Sequence, residues 1–408
     1  MEIINQISEL IILSLDFLSS IPGVLFSILI IIIFHILLLL IRDRLYIKSL
    51  KVNKDPSNIT INDLKSHPLV NIIIPAWKEG ELFRQALESI TKLSYPRIKV
   101  IINAGGDEET INIAESFNKY QNFTILRQKK GGGKIKAIND CLPYVNEGII
   151  YSVDADIYIT DETLIRLLFP ITNLNEHVST SGHRPLPHQE NKDFVKYLII
   201  NQNYSFRLKF ERYGRGGISG TNTMMTLEAI KTIGKFREDM LIATDRSRGY
   251  DLLEKGFKVY CLCDYRGLIH SDVPDTIKEF SRRRIRWLEN NLIYASETKK
   301  KKDTITFLIL FLSSLYLLIF PVLIFLHFAL FLLGLYILLS KYLKRLRRIL
   351  FFKITRQQQI HANLSFLFYI KMIGYIFLEA IINVYTFFEF YLNRKKFKER
   401  RNLYREST

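Results

Sequence analysis

Residues 70–79 read Val-Asn-Ile-Ile-Ile-Pro-Ala-Trp-Lys-Glu, and the fold is decided there. Val70 to Ile74 is short, apolar and rich in β-branched side chains, which predicts a buried strand. Pro75 then predicts a turn, with the Glu79 carboxylate just beyond the strand's carboxyl end. From Glu81 to Thr91 the residues Leu82, Ala86, Leu87 and Ile90 recur at helical spacing. Lys99 to Ile102 is again strand-like, and a helix is expected from about Glu108 to Tyr120, with Ile111, Ala114 and Phe117 on one face. Phe123–Leu126, Lys134–Leu142 and Gly148–Val153 continue the rhythm, which predicts an α/β domain with a mostly parallel sheet. Ligands of such sheets bind beyond the carboxyl ends of the strands. Farther along, Phe194–Tyr213, Asp245–Lys255 and Ile277–Asn291 have helical spacing, and glycine-rich Gly214–Asn222 reads as a loop.

Outward from this domain the composition changes. The 408-residue chain is 48% hydrophobic, and its apolar residues crowd into both ends. Val24 to Ile41 is nearly unbroken Leu, Ile, Val and Phe, close to the roughly 20 residues that a membrane-spanning helix needs. A signal peptide fits less well, because no basic residues precede the run and no small-residue cleavage site follows it. Arg42, Arg44 and Lys48 mark its cytosolic flank by the positive-inside rule. Thr304–Leu339 is a second apolar stretch, interrupted by Pro321; two short spans or one long tilted helix with a re-entrant part both suit it. The expected organisation is membrane segment 1–41, juxtamembrane linker 42–69, catalytic-type domain 70–298, membrane hairpin or spans 304–339, basic cytosolic loop 340–363, membrane segment 364–392 and basic tail 393–408. The chain would thus be integral to the cell membrane, with the middle domain cytosolic.

The net charge of +17 does not point to nucleic acid. Much of the excess sits beside apolar segments, at Lys299–Lys302, Lys341–Lys353 and Arg394–Arg401, where it would meet anionic membrane lipids. No nucleic-acid fold signature accompanies it. Three cysteines give no disulfide framework. Cys261 and Cys263 share a face of an apolar run, Cys141 lies far off, and all three read as buried thiols.

Chemistry concentrates at Tyr151-Ser152-Val153-Asp154-Ala155-Asp156. Two carboxylates separated by one residue after a strand can approach a divalent cation, Mg or Mn, which then neutralises a substrate diphosphate. A loop that caps the next helix is the plainer alternative. Trp77 and Glu79 could hold a nucleoside, or Glu79 could serve a helix N-terminus. Lys129 to Lys136 reads Lys-Lys-Gly-Gly-Gly-Lys-Ile-Lys and opens a helix, so that backbone amides and Lys134 can meet phosphate. It is not a P-loop, because the glycine-x4-glycine-Lys-Ser/Thr spacing is absent.

Taken in order, these segments resemble membrane-bound family-2 glycosyltransferases, a group with polysaccharide synthases and polyprenyl-linked glycan transferases. Pro75-Ala-Trp-Lys-Glu79, Gly133-Lys-Ile-Lys-Ala-Ile-Asn139 and Val153-Asp-Ala-Asp156 carry the resemblance. Downstream, Ala243-Thr244-Asp245 is similar to the family's Thr-Glu-Asp region, and Arg283-Arg-Ile-Arg-Trp287 to its Gln-x-x-Arg-Trp motif, with Asp272-x-Pro274 just upstream. The resemblance implies a Rossmann-like GT-A fold with membrane helices at both ends. It implies that Pro75, Trp77, Glu79, Lys134, Asp154 and Asp156 bind a nucleotide-sugar donor. Asp154 and Asp156 would hold the metal, and Asp245 would be the general base. Arg284, Arg286 and Trp287 would face the diphosphate and the acceptor, although a membrane-interface helix explains them equally. His270 would be a further metal ligand, or a satisfied strand-end histidine.

Three departures stand out. Asn103-Ala-Gly-Gly106 occupies the place of the acidic residues that grip the base, leaving Asn103 or Asp107 as substitutes. Thr244 stands for the usual Glu, and Arg283 for the usual Gln. The expected function is an inverting transfer of one sugar to a lipid-linked or membrane-proximal glycan. A processive polysaccharide synthase is the alternative, and a catalytically inactive membrane scaffold or sugar-nucleotide sensor comes from a different class.

Overall fold

The computed structural model describes residues 59–201, 218–238, 244–262, 267–298, 301–326, 328–354 and 364–393, with scattered positions between 12 and 41. It comprises two compact units, one of residues 1–54, 308–346 and 370–384, the other of 55–307, 347–369 and 385–408.

Among the described residues of the second unit ten strands form two sheets: β1 (Val70–Trp77), β2 (Ile98–Gly105), β3 (Phe123–Arg127), β4 (Ile149–Val153), β5 (Ile157–Tyr158), β6 (Val178–Thr180), β7 (His183–Arg184), β8 (Asn222–Thr226), β9 (Tyr260–Cys261) and β10 (Ile269–Ser271). The large sheet has the order β3-β2-β1-β4-β8-β6-β9. Its first four strands are parallel, whereas β8 runs antiparallel to both β4 and β6. A small sheet has the order β5-β10-β7.

The β1–β4 region reads as unbroken apolar runs because the sheet is covered on both faces. Ile72, Ile74, Val100 and Ile102 pack with Phe83, Leu87 and Leu164. The alternate residues Ile73, Ile101 and Ile150 pack with Ile135, Ile138 and Met225. Helices Glu81–Thr91, Glu108–Glu115, Gly133–Cys141 and Asp161–Asn173 follow the strands. The chain steps from β1 outward through β2 and β3, then returns to place β4 on the other side of β1. The crevice between β1 and β4 is therefore the switch point where ligands bind.

Two details shape that crevice. Pro75 lies within β1, opposite Asn103 of β2, and not in the expected turn. Interior strands exclude proline when its missing N–H faces a partner. Here the amides of Val70 and Lys78 donate toward the β2 side, at 2.9 and 3.1 Å, so by alternation the Pro75 nitrogen faces the β4 side. Pairing with β4 has already ended at Ile73 and Ser152, so no partner is lost. At the other end of β4, Gly148 has φ of +87°, and a Cβ there would lie 2.1 Å from the Leu69 carbonyl oxygen. Only glycine lets the two strands start side by side.

The later elements follow the sequence reading with shifted ends. Residues 193–201 are helical, and 202–213 lie outside the described residues. The predicted loop ends at Thr221, because Asn222 already belongs to β8. Helices Thr244–Glu254 and Ile277–Thr298 follow. Cys141 and Cys261 are buried and form no disulfide among the described residues; Cys263 lies outside the described residues.

Of the expected N-terminal membrane segment, the described residues 12, 13, 23, 26, 27, 29–35, 37, 38 and 41 are helical. Helix Lys301–Leu323, a turn at 324–326 and helix Phe328–Ile354 form a hairpin whose break follows Pro321. The segment 340–363, set down from its charge as a loop, is helical as far as Ile354, and 355–363 lie outside the described residues. Among the described residues two helices are long and apolar enough to cross a membrane, Asp303–Leu323 and Phe366–Leu392. Within the first unit Arg345 ion-pairs with Glu379, and Asn383 donates to Ser314 at 3.2 Å. Polar groups inside apolar helices are thus paired with one another.

Candidate active site

Two strand ends deliver three carboxylates to the crevice. β4 ends at Val153, so Asp154 and Asp156 begin the link to β5. β1 ends at Trp77; Lys78 then takes a left-handed φ of 56°. That turn places Glu79 beside them, and its amide donates to Thr110 Oγ1 at 2.7 Å. Glu79 is not a helix cap, because Gly80 holds that position for helix Glu81–Thr91. The glycine run places Lys134 in the first turn of helix Gly133–Cys141, where its ammonium ion-pairs with Asp154.

The electrostatics are those of a site short of cations. Burial, then the charges of Asp156 and Asp154, push the Glu79 carboxyl up to about 7. Asp156 is raised by burial and by Asp154. Burial pulls Lys134 downward, but Asp154, Asp245 and Asp156 together hold it above its ordinary value. Asp245, near the start of helix Thr244–Glu254, is half-buried; burial raises its carboxyl. Crowded acids of raised pKa around a single lysine are a hallmark of functional clefts.

Sequence reading missed several residues here. Gly220 packs on the base candidate: a Cβ at 220 would sit 3.4 Å from Asp245 Cβ. Next to it, Thr221 Oγ1 lies 2.8 Å from His183 Nε2, and His183 Nδ1 lies 3.2 Å from Ser271 Oγ. Burial pushes His183 down to about 4, so a neutral ring stands in the field of Asp154. A lone histidine on a two-residue strand leaves no sequence signal. Arg283 was set aside as a departure from the family pattern. Its guanidinium donates to Asp272 Oδ2 at 3.0 Å and to Glu279 Oε1 at 2.6 Å. Because Ser271 pairs with Ile157 in antiparallel register, the next step brings Asp272 opposite Asp156, and Arg283 lies in the field of the Asp156 carboxylate.

Other expectations fare differently. Arg284 is half-buried on helix Ile277–Thr298, while Arg286 and Trp287 are exposed there. Among the described residues no hydrogen bond or ion pair ties these three to the carboxylates. Asn103 cannot grip a base, because its side chain is buried and donates to the Ala137 carbonyl at 3.1 Å. Asp107 caps helix Glu108–Glu115, accepting from the Thr110 amide at 2.9 Å. What does line that place is the Trp77 indole, against which a Cβ at Gly105 or Gly106 would approach to 3.0 Å. His270 is satisfied by the Pro185 carbonyl at 3.2 Å.

Residues 71–234 match the model of glycosyl transferase family 2, and residues 192–387 that of glycosyl transferase family group 2. Between them the two models cover residues 71–387, so the likeness to family 2 glycosyltransferases runs through most of the chain. Among curated relatives, the chain is 23% identical over 227 residues to the poly-beta-1,6-N-acetyl-D-glucosamine synthase of Staphylococcus epidermidis, covering 54% of each chain. It is 22% identical over 185 residues to the beta-monoglucosyldiacylglycerol synthase of Trichormus variabilis, covering 43% of this chain and 39% of that one. The chain spans about half the length of the first of these relatives. Among solved structures, the mannosyltransferase of Pyrobaculum calidifontis in complex with GDP-Man and Mn2+ shares the fold, with a TM-score of 0.51 and 14% identity over 89% of this chain and 98% of that one. The predicted GT-A architecture is therefore the observed one.

Family 2 implies a divalent cation, and the residues fit one. Asp154 and Asp156 offer hard oxygen donors where negative charge is in excess. Among the described residues no group of three His, Cys, Asp or Glu side chains forms a complete cage. Such a pair would hold the ion by part of its oxygen shell.

Proposed function

We propose that this chain is an inverting glycosyltransferase that moves a sugar from a nucleoside-diphosphate sugar to a lipid-linked or membrane-proximal glycan acceptor. The observation that carries the reading is the convergence of Glu79, Lys134, Asp154 and Asp156 at the β1–β4 switch point, within electrostatic reach of Asp245. Trp77 and Glu79 hold the nucleoside, and Lys134 neutralises the diphosphate. Held by Asp154 and Asp156, Mg or Mn would supply further neutralisation of the leaving diphosphate.

The acceptor hydroxyl attacks the anomeric carbon on the face opposite the diphosphate. Its proton passes to a carboxylate oxygen of Asp245, and the electron pair of the breaking bond leaves on the diphosphate. A carboxyl raised by burial accepts that proton more readily than an exposed one. Gly220 leaves open the space beside it. Arg286 and Trp287, exposed on a helix that precedes an apolar one, face the acceptor or the membrane interface.

The apolar helices support an integral membrane protein, with the catalytic unit on the cytosolic side where sugar nucleotides are made. Resemblance to a polysaccharide synthase favours a second reading, repeated transfer to one growing chain. Nucleotide release by the full chain in membranes or detergent, across a panel of nucleotide sugars with Mn or Mg, tests both. Metal-dependent release from one donor is expected, with product size separating single from repeated transfer. No release from any donor, with membrane lipids present as acceptor, would overturn the enzyme reading in favour of an inactive scaffold.

A further inference from the structure

Arg246 follows Asp245 directly, and nothing in the proposed chemistry uses it. Its guanidinium is nonetheless held on three sides. Nη1 donates to Asn291 Oδ1 at 2.8 Å and Nη2 to Asp303 Oδ1 at 2.8 Å. Its central carbon stands over the Tyr294 ring at 5.3 Å and over Phe307 at 5.9 Å. Tyr294 in turn stacks at 5° on Tyr250, which belongs to the same helix as Asp245. Asp303 is 8% exposed, and its second carboxylate oxygen is buried without a partner among the described residues. Arg246 is thus the cation that faces a buried carboxylate at the first turn of the apolar helix Lys301–Leu323.

The link to the base is the backbone: Arg246 follows Asp245 within helix Thr244–Glu254. A planar fork with two separate acceptors and an aromatic floor fixes the residue next to the base. A guanidinium holds such a pair of directions; an ammonium, being a point charge, does not.

We propose that Arg246 is a positioning residue for Asp245, orienting the base by anchoring the stretch of helix that carries it to Asn291 and Asp303. This rests on the reading of Asp245 as the general base. Misplacement of a catalytic group by about 1 Å costs on the order of 10²-fold in rate, so a displaced carboxylate is visible in turnover. The donor is held elsewhere, by Lys134, Asp154 and Asp156, so its binding is unaffected. The groups whose charges reach Asp245 are Lys134 and Asp154, and neither changes in an Arg246 variant.

The test compares Asp245→Asn, Arg246→Ala, Arg246→Lys and Asp303→Asn in the full chain, reading kcat, donor KM and the pH dependence of kcat. For Arg246→Ala, kcat is expected to fall about 10-fold or more with donor KM within about 2-fold of wild type. The acid limb of its profile should shift, because the surroundings of the Asp245 carboxylate change with its position. Arg246→Lys should recover only part of the loss. Asp303→Asn, nearly isosteric, should show a smaller loss of the same kind, and decides the matter should Arg246→Ala not fold. Unchanged kcat and an unmoved acid limb in these variants, while Asp245→Asn abolishes transfer, would overturn the positioning role alone. Full transfer by Asp245→Asn would overturn the base assignment beneath it.

Discussion

The two halves of the catalytic unit place their functional groups by different means. From β1 to β4, position is set by the backbone: parallel strands end together, and whatever follows each strand lies at the crevice. Glu79, Asp154 and Asp156 owe their places to strand register, and Lys134 to a helix start. From β5 onward, position is set by side chains gripping one another. Asp245 sits where Gly220 leaves room and where Arg246 is held by Asn291 and Asp303, while Arg283 is held by Asp272 and Glu279. A site framed by a sheet tolerates changes away from the strand ends. One framed by side chains depends on contacts spread across more than fifty residues of sequence.

If the first half holds the donor and the second moves the proton, the largest effects should divide along that line. Asp156→Ala should abolish metal-dependent donor binding and reduce transfer by on the order of 10²-fold or more. Asp245→Asn should reduce transfer by about 10²–10⁴-fold while nucleotide binding, read by calorimetry, is retained. Loss of binding in Asp245→Asn would erase the division.

Gly148→Ala should come next, as a loss of stability read by denaturant unfolding. With φ at +87° and a backbone oxygen 2.1 Å from the added carbon, β4 must shift against Leu69; backbone strain of this kind costs about 1–3 kcal/mol. A neutral result would show that the first half is less rigid than its register suggests.

Glu79 gives a pH signature. Its folded pKa, raised to about 7 from 4.5, favours the protonated form in the folded state. Its contribution to stability is therefore complete below pH 4.5 and is lost as pH rises through about 7. Glu79→Gln should flatten this part of a melting-temperature profile. Mn or Mg should raise the wild-type melting temperature chiefly at the alkaline end, where the carboxylates are charged.

The smallest effect belongs to Asp107→Ala, which removes a helix cap at a cost of about 0.5–2 kcal/mol. Donor affinity should not change. A weakened donor would return Asp107 to the role of base recognition that its capping bond argues against.

How much of this was legible in the sequence follows the same division. Apolar runs of the β1–β4 region announce strands because burial on both faces demands them, and the polar residues after them are then found by position alone. Pro75 misled, because sequence cannot show that β4 pairing stops two residues earlier. Asn103 misled for a similar reason: its amide points into the core at Ala137, not toward the crevice. In the second half no periodicity marks His183, Thr221 or Arg246, whose meaning lies in distant partners. Arg283 was visible only as a deviation, and Arg286 and Trp287 were given weight by a motif that the fold leaves on an exposed face.

Paired strands are self-templating: once two begin to share hydrogen bonds, each rung aligns the next, and the ladder grows until something denies it a donor. At Pro75 that donor is missing on the β4 side. The ladder that already ends at Ile73 and Ser152 therefore has no rung at Pro75 by which to resume.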